Sequence, residues 1–187
     1  FIDTAYILGQ QQKVVAGDDD INHMENKIEH MCLALLTRQS PFAGALRKIT
    51  SIMKIIIDLE RIGDQCQDIC GIMVSKIETE DNTQLAAIPE MFQAAHDMYS
   101  RSVESFFHLD QQLAQQVIGD DDKVDAMFVA ALQELADMIR QDPTTAISAV
   151  HLMMIAKYLE RIGDHATNIA EWAIYLATGV YPLDQRK

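Results

Sequence analysis

Apolar residues recur every three or four positions along most of the chain. The clearest run is Ile49, Ile52, Ile56, Leu59, Gly63, Cys66, Cys70 and Met73. That stripe predicts one long helix from about Phe42 to Lys76 with a packed face, as helix bundles need. Helix breakers parse the rest. Phe1–Ala16 reads as helical, and Gly17-Asp18-Asp19-Asp20 as a break opening a helix to about Arg38. Gln39-Ser40-Pro41 ends it, and Glu78 to Ala87 is a polar linker. Pro89 opens a helix to Ile118, Gly119-Asp120-Asp121-Asp122 opens another to about Arg140, and Asp142-Pro143 breaks that one. A last long helix runs to Thr178, closed by Gly179 with Pro182 beyond.

The pattern is one unit written twice. Leu59-Glu60-Arg61-Ile62-Gly63-Asp64 recurs letter for letter as Leu159 to Asp164, and Gly-Asp-Asp-Asp recurs at Gly17 and Gly119. The offsets are 159 − 59 = 100 and 119 − 17 = 102. The expected architecture is therefore all-α: two three-helix bundles with pseudo-twofold symmetry, residues 1–80 and 81–187. With helix four starting near Ile88, its equivalent would start near 88 − 102 = −14, placing Phe1 in mid-helix and the first helix truncated at its N-terminus.

Composition narrows the class. Of 187 residues, 49% are hydrophobic, 23% charged and only 6% aromatic, with Gly 8 and Pro 4 against ten Met, which suits a helical protein with a real core. Asp plus Glu is 28 and Lys plus Arg 15, a net charge of −13 that would repel a phosphate backbone, so nucleic acid is excluded as a partner. The longest apolar run, Ala126 to Leu132, is seven residues, far short of the ~20 that span a bilayer. No signal-peptide pattern opens the chain, so a cytoplasmic protein is expected. Cys32, Cys66 and Cys70 form no C-x-x-C pair and read as buried, reduced thiols.

The candidate chemistry lies in carboxylates. Glu60/Asp64 and Glu160/Asp164 are i,i+4 pairs, each on one helix face beside the apolar stripe. A short break makes the preceding helix an antiparallel neighbour, so level is counted from the break. Asp125 and Asp121 lie 17 and 21 residues before Asp142, and Glu160 and Asp164 lie 18 and 22 after it. Asn22 and Asp18 lie 19 and 23 before Pro41, and Glu60 and Asp64 equally far after it. Each unit can thus set two pairs face to face. Converging carboxylates repel unless some stay protonated or a hard divalent cation relieves them. The bland alternative is neutralisation by Arg61 and Arg161, or a solvated face. Asp68 and Asn168 extend each acidic edge by a turn, as accessory ligands or solvated side chains. Gly63 and Gly163 read as sites of close helix approach. His165 has Gln65 as its counterpart and reads as incidental. No E-x-x-H pair occurs, which argues against a ferritin-type di-iron oxidase.

The tandem unit with L-E-R-I-G-D in each third helix resembles the PhoU family of bacterial phosphate-transport regulators, from Val14 to Gly179. The resemblance maps the family's E/D-x-x-x-D metal motif onto Glu60/Asp64, Glu160/Asp164 and Asp121/Asp125, with Asp18/Asn22 departing by one neutral residue. It implies a non-enzymatic, cytoplasmic negative regulator of phosphate uptake and of the phosphate-starvation response. The implied partners are the ATPase component of a phosphate ABC transporter and a PhoR-type sensor histidine kinase, with membrane association only through them. Homodimers and Fe, Zn, Mg or Mn on the acidic motifs are also implied. Two other readings stand beside it. A PhoU-like domain of a membrane phosphate cotransporter would show apolar segments of about 20 residues in the full reading frame. An all-α metal-dependent nucleoside triphosphate pyrophosphohydrolase would use E-x-x-E spacings and cations around the phosphates, whereas the pairs here are i,i+4. By charge count the second cluster, with four acids, is expected to hold metal more tightly than the first, unless Asp68 supplies a fourth acid there.

Overall fold

The computed structural model describes residues 4–39, 42–79, 81 and 83–181, and the described residues form five α-helices and one 3-10 turn. They are α1 (Thr4–Gln39), α2 (Ala43–Glu78), α3 (Ala87–His108), α4 (Gln111–Gln141) and α5 (Ala146–Thr178), with the turn Pro143–Thr145 before α5. No strand occurs among them. Ser40, Pro41 and Pro182, and the start at Phe1, lie outside the described residues.

Two of the expected breaks are absent. Helix α1 passes through Gly17 and α4 through Gly119. An interior glycine costs a helix about 1 kcal/mol, which thirty or more residues of packed helix outweigh. The real corner stands ten residues earlier, at Leu109-Asp110. Leu109 takes the left-handed conformation (φ 54°), and the Asp110 N–H donates back to Ser105 O at 2.9 Å. The Asp110 carboxylate then caps α4, accepting from the Gln112 and Leu113 N–H groups at 3.0 Å each. The counterpart of α1 is therefore α4, so the stretch before Gly17 continues into the helix that follows it, while the start counted back to −14 lies outside the described residues. The other boundaries agree: Asp142 accepts from Thr144 N–H at 3.0 Å before Pro143, and Gly179 (φ 82°) ends α5.

Helix α5 is the centre of the molecule. It packs against α2, α3 and α4, whereas α1 packs on α2. Small residues let its neighbours close in: Ala149, Ala156, Gly163, Ala166, Ala170 and Ala173 are all buried. Met91, Ala95 and Met98 of α3, Val117 and Val124 of α4, and Leu159, Ile162 and Ile169 of α5 fill the space between. On α2 the expected stripe is only partly buried. Ile49 and Ile56 are buried, but Cys66 and Met73 are exposed, while Ile55, Ile62 and Val74 are covered instead. The helix serves two neighbours, α1 and α5, so its buried residues do not form one stripe. Of the three cysteines, only Cys32 is buried. Cys66 stands in a groove of about 420 Å³ shared with Ile21, Ile62, Gly63, Phe92 and Tyr99, on the face where the second unit has α3.

The two units meet along α2 and α5, which run antiparallel. Asp58 Oδ1 accepts from Asn168 Nδ2 at 3.0 Å and lies 2.8 Å from His165 Nδ1. Ten residues further along α2, Asp68 meets Tyr158. At the far end the Arg47 guanidinium covers Gly179. His165 is thus a joint between units and not an incidental side chain. The linker is clasped by a largely buried ion pair, Lys76 Nζ to Asp81 Oδ2 at 2.5 Å, and Asp81 Oδ1 also accepts from Thr83 N–H at 2.9 Å.

Candidate metal centres

Helices α1 and α2 carry the first cluster, α4 and α5 the second. What sets the pairs level is the close approach at the two hexapeptide glycines. A methyl group at Gly63 would lie 3.2 Å from Ile21 Cδ1 and 3.3 Å from Asp18 Oδ1. At Gly163 it would lie 3.6 Å from Val124 Cγ1 and 3.8 Å from Asp121 Oδ1. So Asp18 corresponds to Asp121 and Ile21 to Val124, an offset of 121 − 18 = 103, one more than the Gly-Asp-Asp-Asp repeat suggests. Asp120 is free of that role: its carboxylate accepts from Arg101 at 2.6 Å and pairs with Lys123. The two glycines should respond differently to alanine. Gly163→Ala meets ordinary contact distances and gains helix propensity, so a stabilisation of up to about 1 kcal/mol is expected in a thermal melt. Gly63→Ala forces Ile21 and Asp18 to yield by a few tenths of an ångström, and should gain nothing.

In the first cluster Asp18 is 8% exposed, and Asn22 Nδ2 donates to its Oδ2 at 3.3 Å. The other oxygens, Asp18 Oδ1 and Asn22 Oδ1, are buried without a hydrogen-bond partner. Burial and the Asp64 charge push the Asp18 carboxyl up. Burial and Asp64 do the same to Glu60, against the pull of Arg61, with Glu25 and Asp18 adding to the rise. Arg61 lies on the rim, 3.5 Å from Glu60 Oε2 and 3.2 Å from Asp64 Oδ2. In the second cluster, burial and the Asp125 charge raise Asp121, and burial with Glu160 and Asp121 raises Asp164. Lys157, which no motif of the sequence points to, places Nζ 2.6 Å from Glu160 Oε1 and 2.5 Å from Oε2.

The helices thus bring Asp18, Asn22, Glu60 and Asp64 together on one side, and Asp121, Asp125, Glu160 and Asp164 on the other. They do not bring Asp68 or Asn168 to either cluster, since these face Tyr158 and Asp58 across the unit boundary. Glu25 stands close enough to Glu60 for its charge to add to that carboxyl's rise, an acid beside the first cluster where Asp68 is not. It could have been found from spacing, lying at i+3 from Asn22 and i+7 from Asp18 on the same face. With side chains as they stand, no three His, Cys, Asp or Glu among the described residues converge on one ion. Arg61 and Lys157 hold part of each carboxylate set, as the bland alternative had it for the arginines. The donor chemistry still fits a hard cation: oxygen ligands only in both clusters, with buried, unpartnered carboxylate and amide oxygens in the first.

Comparison with known proteins agrees with this architecture. The family model described as the PhoU domain matches residues 8–73 and 88–173. A phosphate-specific transport system accessory protein PhoU homolog of Pseudomonas aeruginosa is 36% identical over 91% of this chain and 71% of its own length. The homolog of Aquifex aeolicus is 38% identical over 90% and 76%. The crystal structure of PhoU from Pseudomonas aeruginosa superposes with a TM-score of 0.90 at 35% identity, over 95% of this chain and 84% of that one. The phosphate transport system regulatory protein PhoU from Streptococcus pneumoniae gives 0.79 at 26% identity, over 95% and 86%.

Proposed function

From the premise that the chain belongs to the PhoU family, we propose that it is a cytoplasmic negative regulator of phosphate uptake that acts by binding and not by catalysis. The observation that carries this reading is the pair of acid clusters on the two identical hexapeptides, level with acids of the neighbouring helix. Both suit a structural or sensing cation, and neither includes a side chain placed as a nucleophile. Glu60, Asp64, Asp18 and Asn22 would hold one ion, and Asp121, Asp125, Glu160 and Asp164 another, with Mg, Mn, Fe or Zn as candidates. A bound cation would neutralise repelling carboxylates and tie together helices that otherwise meet through apolar contact. The partners this reading assigns are the ATPase component of a phosphate ABC transporter and a PhoR-type sensor kinase, met by a homodimer.

Deleting the gene is expected to switch on phosphate-starvation genes while phosphate is plentiful, and the purified protein should retain the ATPase component or the kinase in a pull-down. Unchanged starvation-gene expression would sink the proposal. Lys157 beside Glu160 supplies one cation of the kind phosphoryl chemistry needs, so nucleoside triphosphate hydrolysis should be assayed too. Hydrolysis lost on Glu160→Gln would favour the pyrophosphohydrolase reading instead.

A further inference from the structure

The two clusters differ at one pair of positions in a way that reverses the order expected from counting charges. At the offset of 103, Glu25 of α1 corresponds to Phe128 of α4; at the offset of 100, Ile57 of α2 corresponds to Lys157 of α5. The first unit therefore has an acid and an aliphatic side chain where the second has an aromatic ring and a lysine. Counting what the structure brings together, the first cluster has Asp18, Glu60 and Asp64 with Glu25 beside them, and the second has Asp121, Asp125, Glu160 and Asp164. The acid counts are equal. What differs is the cation each cluster already holds.

Arg61 takes one oxygen from each of two acids at 3.2 to 3.5 Å, with a side chain 52% exposed, and leaves the inner oxygens of Asp18 and Asn22 unpartnered. Lys157 instead bridges both oxygens of Glu160 at 2.5 and 2.6 Å. Its Nζ also lies 5.3 Å from the centre of the Phe128 ring, a second resting place for an ammonium displaced from the carboxylate. The geometry points to Lys157 as a tethered cation that competes with a divalent ion for the second cluster, so that the first cluster fills at lower metal concentration and the second only after Lys157 swings onto Phe128. The second cluster would then report a higher concentration range than the first. This rests on the metal-binding reading above.

Calorimetric titration of chelator-stripped protein with Mn²⁺ tests it. Two classes of site are expected, the tighter removed by Asp64→Asn and the weaker by Asp164→Asn. Lys157→Met keeps the apolar stem but removes the charge, and should tighten the weaker class by about tenfold or more. Ile57→Lys, which builds the same device into the first unit, should weaken the tighter class. Lys157 is half exposed, so neither lysine substitution threatens folding. Mn²⁺ binding that Lys157→Met leaves unchanged, or a tighter class lost on Asp164→Asn, overturns this inference and leaves the metal-binding reading standing. No Mn²⁺ binding to the parent protein or to any variant overturns both.

Discussion

Asp81→Ala is expected to destabilise the protein by about 3 kcal/mol, because it strands a lysine that the fold has largely removed from water. The Lys76 and Asp81 side chains are only 11% and 14% exposed. Burial alone would push the Asp81 carboxyl up, yet the Lys76 ammonium, Thr83 and Ser148 outweigh it and hold the group well below the usual carboxylate range. For a chain of this size the loss corresponds to about 6–12 °C in Tm. The double variant Lys76→Met/Asp81→Leu should recover most of it, since removing both charges leaves neither unpaired. A double variant as unstable as the single would show that the linker is held by something other than this pair. The depressed carboxyl sets the sign with pH. Its stabilisation is full above about pH 4 and is lost as the pH falls toward the folded-state value.

The clusters should behave in the opposite sense, and metal should reveal them. Asp18, Glu60, Asp121 and Asp164 are all raised, burial first and neighbouring acids next. Above about pH 4 the folded chain then binds more protons than the unfolded one, so stability falls as the pH rises through the raised values. The depressed Asp81, Asp120 and Asp142 act below that window. In chelator, Tm at pH 5 should exceed Tm at pH 7.5. Mn²⁺ at a hundred times its Kd should restore about 2.7 kcal/mol at neutral pH and little at pH 5, where protons already fill its role. Melts that favour pH 7.5 in chelator, or gain nothing from metal, would contradict the assignment of these acids to cation sites.

The pairing of acids across each hairpin is legible in the sequence. Residues of an antiparallel hairpin can be levelled by counting from the turn, because each helix advances a fixed rise per residue, and the count paired Asp121 and Asp125 with Glu160 and Asp164 directly. The turn between α3 and α4 was misplaced for a physical reason. Glycine is permitted at a break but does not make one, and the actual signal was Asp110 as a cap, preceded by a leucine forced into a left-handed conformation. Asp68, open as an accessory ligand or a solvated side chain, is exposed and meets Tyr158 of the other unit, and periodicity within one helix carries no information about which face a second bundle will cover. Lys157 is not legible from the repeat, because Ile57 stands in its place in the first unit.

The boundary between the units has a consequence for how the halves recognise each other. Asp58 faces Asn168, and Asp68 faces Tyr158. These contacts are related by the repeat, since Asp58 and Tyr158 are equivalent, as are Asp68 and Asn168. If two copies of the first half met through the same crossing, Asp58 of one would oppose Asp68 of the other, acid against acid, at both ends of the joint. Like charges placed opposite each other are repulsive, and of the two Asp58 is half-buried. Divergence of two once-equivalent surfaces has thus left a lock that accepts only its unlike half. Exchange of identical halves between chains, the usual hazard of a duplicated fold, is discouraged by two carboxylates ten residues apart on a single helix.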